Sequence, residues 1–343
     1  MSNQKFLLTA IAMSTMLSTS QVQAVETLYF ASYGGSTEEL FREKILPAFE
    51  VKNGVKVQYV AGNSSKTLAT LQAQRNKPEI DVAIMDEGPV FQAMSLGLCQ
   101  PISEETFDQV VPLANLNEGK AIGVGIVAAG LAYNTEYFAE KGWDAPDSWN
   151  ALADPKYKKR MSVPPISNSY GLISLIMEAR VNGGGEKNIE PGFDAFKNHI
   201  GQNVLTYEPS SGKMSELFQS GEIVISAWGH GRVKSLADTD FPVKFVYPKE
   251  GAAALMIAAC SVTDSDMPEM SQKLISYLAS ADVQKILAEE KNWGPTNRNI
   301  KLEPELASKL PYGEAIENLN VIDWNTVNEN SALWNKRWTR EVE

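Results

Sequence analysis

From Thr27 onward, short runs of β-branched and aromatic residues alternate with segments whose apolar positions recur at helical spacing. Thr27-Leu28-Tyr29-Phe30 predicts a strand that stops at Ser32-Tyr33-Gly34-Gly35-Ser36. Leu40, Phe41, Ile45 and Phe49 then share one helix face. Asn53-Gly54 turns the chain into a second strand over 55–60, and Asn63-Ser64-Ser65 caps a helix over 67–74. A third strand, 80–85, runs through Asp86-Glu87-Gly88-Pro89 into a helix ending near Gly97. Three such strand–loop–helix units predict a parallel, doubly wound α/β sheet. Ligands of these sheets bind beyond the carboxyl ends of the strands, where loops 32–36, 62–65 and 86–88 lie.

A second α/β pattern follows. Strands are predicted over 123–134, 161–164, 204–207 and 223–228. Each ends in a polar loop, among them Ser167-Asn168-Ser169-Tyr170-Gly171, Glu208-Pro209-Ser210-Ser211-Gly212 and Gly229-His230-Gly231-Arg232. The apolar run 255–262, helices over 270–279 and 283–290, and a tail carrying Trp324, Trp334 and Trp338 complete the chain. Apolar crossings near 126–134 and 255–262 divide the pattern in two, which predicts two lobes facing each other across a cleft.

The N-terminus changes the compartment. Lys5, the apolar run 6–17 and Gln21-Val22-Gln23-Ala24 form the three parts of a secretory signal peptide over 1–24. No later stretch approaches the ~18 apolar residues of a membrane span. Cleavage leaves about 319 residues (343 − 24), more than one hydrophobic core usually serves. Net charge is −11, or −12 without Lys5, which argues against nucleic acid or anionic membranes as partners. Cys99 and Cys260, in an oxidising compartment, read equally as one disulfide or as two buried thiols.

Several segments, in the same order, resemble the spermidine/putrescine-binding proteins of bacterial ABC importers. They are Leu28-Tyr29-Phe30, Asn53-Gly54-Val55-Lys56-Val57, Asp81-Val82-Ala83-Ile84, Asp154-Pro155 before Tyr157-Lys158, Pro248-Lys249-Glu250-Gly251 and the Trp-rich tail. The resemblance implies a type II periplasmic binding protein fold, two α/β lobes joined by two crossing strands, with 25–130 and 256–298 in one lobe and 131–255 and 299–343 in the other. It also implies hinge closure on a ligand, no catalysis, no cofactor, a periplasmic location, a monomer, and a permease of the inner membrane as partner. Trp228 matches a family Trp at the end of its strand. Where the family carries aromatic or acidic residues, this chain has Leu255, Ile257 and the run Ile166-Ser167-Asn168-Ser169. These departures widen the expected ligand from polyamines to zwitterions.

The candidate pocket residues read two ways. Asp86 and Glu87, at the end of a buried strand, suit either an ammonium or a helix cap. Tyr33, Gly35 and Ser36, Asn63 and Ser64, Asn168 and Ser169, and Ser211 stand before or at helix starts, as anion-facing loops and as ordinary turns do. Trp228 can stack on a cationic or alkyl group. His230 can donate a hydrogen bond, and Arg232 can pair a carboxylate or serve the surface. Two other readings are a ferric-ion carrier of the same fold and a secreted α/β hydrolase. The hydrolase needs a G-x-S-x-G elbow, which the sequence lacks. Clustered tyrosines of a ferric site would have to come from Tyr33, Tyr170 and Tyr207.

Overall fold

The computed structural model describes residues 26–343 apart from Ser308 and Glu317; the side chains of Glu314 and Ala315 are also not described. The leader expected over 1–24 lies outside the described residues. Eleven strands join in one continuous sheet: β1 (Thr27–Tyr33), β2 (Lys56–Gly62), β3 (Val82–Asp86), β4 (Cys99–Gln100), β5 (Asn115–Leu116), β6 (Ala121–Asn134), β7 (Met161–Ser162), β8 (Val204–Thr206), β9 (Ile225–Gly229), β10 (Val243–Val246) and β11 (Ala253–Val262). The main path runs β2-β1-β3-β11-β6-β9-β7-β8.

The first three strands pair in parallel, as their strand–loop–helix spacing requires. The sheet is nevertheless mixed. β11 runs antiparallel to β3, and β6 antiparallel to β11. The reason is directional: a chain that leaves a lobe along one strand must come back along another, and the two run opposite ways. β6 is buried along Ala121–Ala132, which is why its sequence is nearly unbroken Ala, Val, Ile, Leu and Gly.

β6 serves both halves of the sheet. Its residues 122–129 pair with β11, and 129–133 pair with β9. The return passage falls at 247–252, between β10 and β11, just ahead of the run 255–262. That run is a wholly buried central strand, lying between β3 and β6. This is the two-lobe α/β architecture with two crossing segments.

Helices cover the sheet: α1 (Ser36–Leu40), α2 (Ser64–Ala73), α3 (Glu87–Ser95), α4 (Ser169–Val181), α5 (Ser211–Gln219), α6 (His230–Ala237), α7 (Ala281–Lys291) and α8 (Trp324–Glu341) concern the site and its supports. α8 touches both halves. Trp324 lies over Gly88 so closely that a Cβ there would stand 2.6 Å from the indole ring. Trp338 packs edge-on against Phe196 and Tyr207, with centroids at 4.8 and 5.3 Å.

The cysteines are joined: Cys99 of β4 is disulfide-bonded to Cys260 of β11, 161 residues later. This resolves the two readings left open by the sequence. Replacing both by Ser should lower the unfolding free energy by about 2–5 kcal/mol in urea titration, because the bond closes a long loop in the unfolded chain.

Beside the return passage, Glu178 of α4 is fully buried near Glu250 and Asn182. Burial, and then the Glu250 carboxylate, push Glu178 up to about 8. The folded protein therefore keeps a proton that the unfolded chain releases near the ordinary carboxylate value. Stability from this group falls as pH rises through that window, from about 4.5 to about 8. Glu178→Gln should melt progressively higher than the parent as pH is raised from 5 to 8.5, with the two converging at pH 4.5; calorimetry at stepped pH reads this directly.

Candidate functional site

β1, β2 and β3 are parallel neighbours, so their carboxyl ends lie side by side and present Tyr33, Ser64 and Asp86 together. The main-chain N–H of Asp86 donates to Ser64 Oγ at 2.9 Å. Its carboxylate is left to side chains. Tyr33 Oη donates to Oδ1 at 2.5 Å, and Ser169 Oγ donates to Oδ2 at 3.0 Å. Ser169 opens α4, behind the strands of the other half, so Asp86 receives one hydroxyl from each side of the cleft. Asn168 accepts the N–H of Tyr170 at 2.9 Å as the α4 cap and donates to Pro209 O at 3.3 Å.

Aromatic rings enclose this carboxylate. Tyr33 meets Trp293 edge-on at 6.1 Å. Burial, then the Asp86 charge, hold the Tyr33 hydroxyl well above its ordinary value, so it is a donor. Tyr170 is pushed up to about 12, by burial first, with nearby Arg232 opposing and Asp86 reinforcing the shift. A Cβ at Gly229 would stand 2.3 Å from Tyr170 Oη, so only glycine leaves the phenol its place.

The other sequence candidates divide. Ser36 accepts a hydrogen bond from Lys291 Nζ at 2.7 Å, beside the turn made by Gly35 at φ 66°. Asn63 caps α2, accepting from Lys66 N at 2.8 Å. Glu87 turns away from Asp86 and accepts the N–H of Met256 on β11 at 3.0 Å. Burial raises Glu87 to about 7. Ser211 stands in the first turn of α5, on the cap set by Ser210. Trp228 is 2% exposed and stacks on Phe218 at 6.0 Å, packed into the second half with Met214 and Val233. His230 is buried with Nδ1 accepting the N–H of Ala128 on β6 at 3.1 Å. Burial pulls His230 down to about 4, so it stays neutral. Arg232 is exposed at the start of α6, near Tyr170 and Lys291.

Lys291 is the neighbour that sequence reasoning passed over, while Tyr170 entered it as a loop residue and a tyrosine of a ferric site. Lys291 ends α7 ahead of a left-handed Asn292 at φ 55°, where a lysine reads as a partner of the helix dipole. Trp293 reads as packing. Only Tyr170 carried a signal, in its Ser/Asn/Gly-rich loop. Among the described residues, no group of three or more His, Cys, Asp or Glu side chains is arranged to hold a metal ion.

The bond from Ser169 to Asp86 ties the two halves directly. A hydrogen bond to a charged group contributes about 1.5–3 kcal/mol, which is tenfold or more in an open–closed equilibrium. Ser169→Ala should therefore raise the radius of gyration of the ligand-free protein in small-angle scattering, while unfolding in urea changes little.

Residues 44–311 match the family described as bacterial extracellular solute-binding protein. The spermidine/putrescine-binding periplasmic protein of Salmonella typhimurium is 22% identical over 348 residues, covering 98% of this chain and 97% of that protein. Two solved structures share the fold. The periplasmic binding protein AfuA from Actinobacillus pleuropneumoniae, with fructose-6-phosphate bound, superposes with a TM-score of 0.76 at 21% identity, covering 93% of this chain and 98% of that one. Iron-bound HitA from Pseudomonas aeruginosa gives 0.73 at 19%, covering 91% and 98%.

Proposed function

The chain belongs to the bacterial extracellular solute-binding proteins, the non-enzymatic receptors of ABC importers, and on that premise we propose that it captures a small amine-bearing solute, polyamine-like or zwitterionic. Capture takes place between the lobes, in the periplasm, and the closed form delivers the solute to the permease of the inner membrane. The lobes proposed are 25–130 with 256–298, and 131–255 with 299–343. The unbroken passage of β6 from one half of the sheet to the other supports that division.

One observation carries the ligand class: the Asp86 carboxylate stands at the strand ends with a hydroxyl from each side of the cleft and tyrosine rings around it. An ammonium entering here donates a charge-assisted hydrogen bond from its N–H to the Asp86 carboxylate and lies against aromatic faces. Hydroxyl donors are neutral, so a cation can displace or share them without leaving a buried charge unpaired.

A ligand that binds only the folded form raises the melting temperature by mass action. Screening diamines, ω-amino acids, aminophosphonates, sugar phosphates and ferric ion should give hits among the amines. Asp86→Ala should then weaken the best amine about tenfold to a hundredfold by calorimetry, the 1.5–3 kcal/mol of a charged hydrogen bond. Ferric ion as the single hit, or an amine hit indifferent to Asp86→Ala, would sink this reading.

A further inference from the structure

Lys291 and Arg232 come close to each other beside Ser36 and Tyr170, and neither forms an ion pair among the described residues. Lys291 comes from the end of α7 and Arg232 from the first turn of α6, and these segments are in close contact. A Cβ added at Gly231 would lie 3.2 Å from Lys291 O and 3.8 Å from Asn292 Cβ. Several other cations of this acidic chain are paired, among them Arg42 with Glu38, Arg180 with Glu186 and Arg337 with Glu190. Glu290, next to Lys291 in sequence, is taken by Lys44. Among the described residues neither Lys291 nor Arg232 has a carboxylate at ion-pair distance; Lys291 instead donates to Ser36 Oγ at 2.7 Å.

Half-buried Lys291 and exposed Arg232 repel each other, and an anion between them would offset that cost. Burial, then the Arg232 charge, draw the Lys291 ammonium below its ordinary value. Glu290 and Glu39 oppose this shift from a distance, but neither stands within ion-pair reach of Lys291, which leaves room for an anion from outside. The place of the pair sets the ligand's shape. Tyr33 bonds Asp86 through its hydroxyl and meets Trp293, two residues beyond Lys291, with its ring. Tyr170, on the opposite wall, lies near both Asp86 and Arg232. Tyr170 thus has both the acid and Arg232 for neighbours, and Tyr33 links the acid to the segment that carries Lys291.

We propose that Lys291 and Arg232, with Ser36, form an oxyanion subsite, so that the ligand is an ω-amino acid or aminophosphonate whose amine meets Asp86 and whose carboxylate or phosphonate meets the two bases. This rests on the amine reading above and narrows it, because a diamine would set a second ammonium against Lys291 and Arg232. A guanidinium offers a planar fork and an ammonium a point charge; together they suit either oxyanion.

Calorimetry on the protein with 4-aminobutyrate, 2-aminoethylphosphonate, putrescine and glutarate separates the possibilities. We expect one of the two zwitterions to bind at least tenfold tighter than putrescine, and which one it is distinguishes carboxylate from phosphonate. Lys291→Met and Arg232→Met should each cost that ligand tenfold or more, and the double variant should move preference toward putrescine. Putrescine binding as tightly as the zwitterions, with Lys291→Met without effect, would overturn the subsite and leave the amine reading standing. Glutarate binding that is lost in Lys291→Met yet indifferent to Asp86→Ala would uphold the subsite and remove the amine reading. A parent protein that binds none of the four probes would overturn the subsite.

Discussion

Everything in this molecule hangs from β6. It is one strand of fourteen residues that pairs with β11 along its first part and with β9 and β10 along its last. A strand is a stiff ladder of hydrogen bonds within each sheet, but it can twist where its partners change. Here that change falls at Ala129, which faces Ala253 on one side and Gly229 on the other. Small residues at this point keep the two halves close. They also bring the ends of β1, β2 and β3 opposite the loops that follow β7 and β9.

The charge pattern follows from that placement. Asp86 is at a strand end because a parallel strand delivers its carboxyl terminus to the cleft, where it accepts hydroxyls from Tyr33 and Ser169. Nearby acids meet different fates. Glu87, one residue on, is turned into the sheet against Met256, and Glu178 is buried against the return passage; both lose charge to burial. So local burial separates these carboxyl groups, and Asp86 is the one left at the strand ends among hydroxyls.

The solved relatives share this frame while holding ligands as unlike as a sugar phosphate and iron. That breadth has a physical basis. The sheet and its crossings fix where loops meet, and the side chains on those loops decide what is bound. In this chain the strand ends and helix starts bring Tyr33, Asp86, Ser169 and Tyr170 to one place.

The sequence by itself determined the order of strands and helices, the parallel pairing of β1–β3 and the loops at their ends, because periodicity and turn residues act over a few positions. It also marked Tyr33, Ser64, Asp86 and Ser169 as neighbours in kind. Tertiary structure alone decided the rest. The antiparallel insertion of β11 depends on a return path 120 residues later than β6, by ~120 positions of chain whose closure no local pattern encodes. The Cys99–Cys260 bond is set by where β4 lies against β11. Trp228 and His230, which look like cleft residues in sequence, point into packed interiors because each strand has two faces and only pairing decides which one is covered. Lys291 is the converse: a helix-end lysine by pattern, it becomes a neighbour of Arg232 because α6 and α7 meet, and Coulomb repulsion between them exists only in the folded chain.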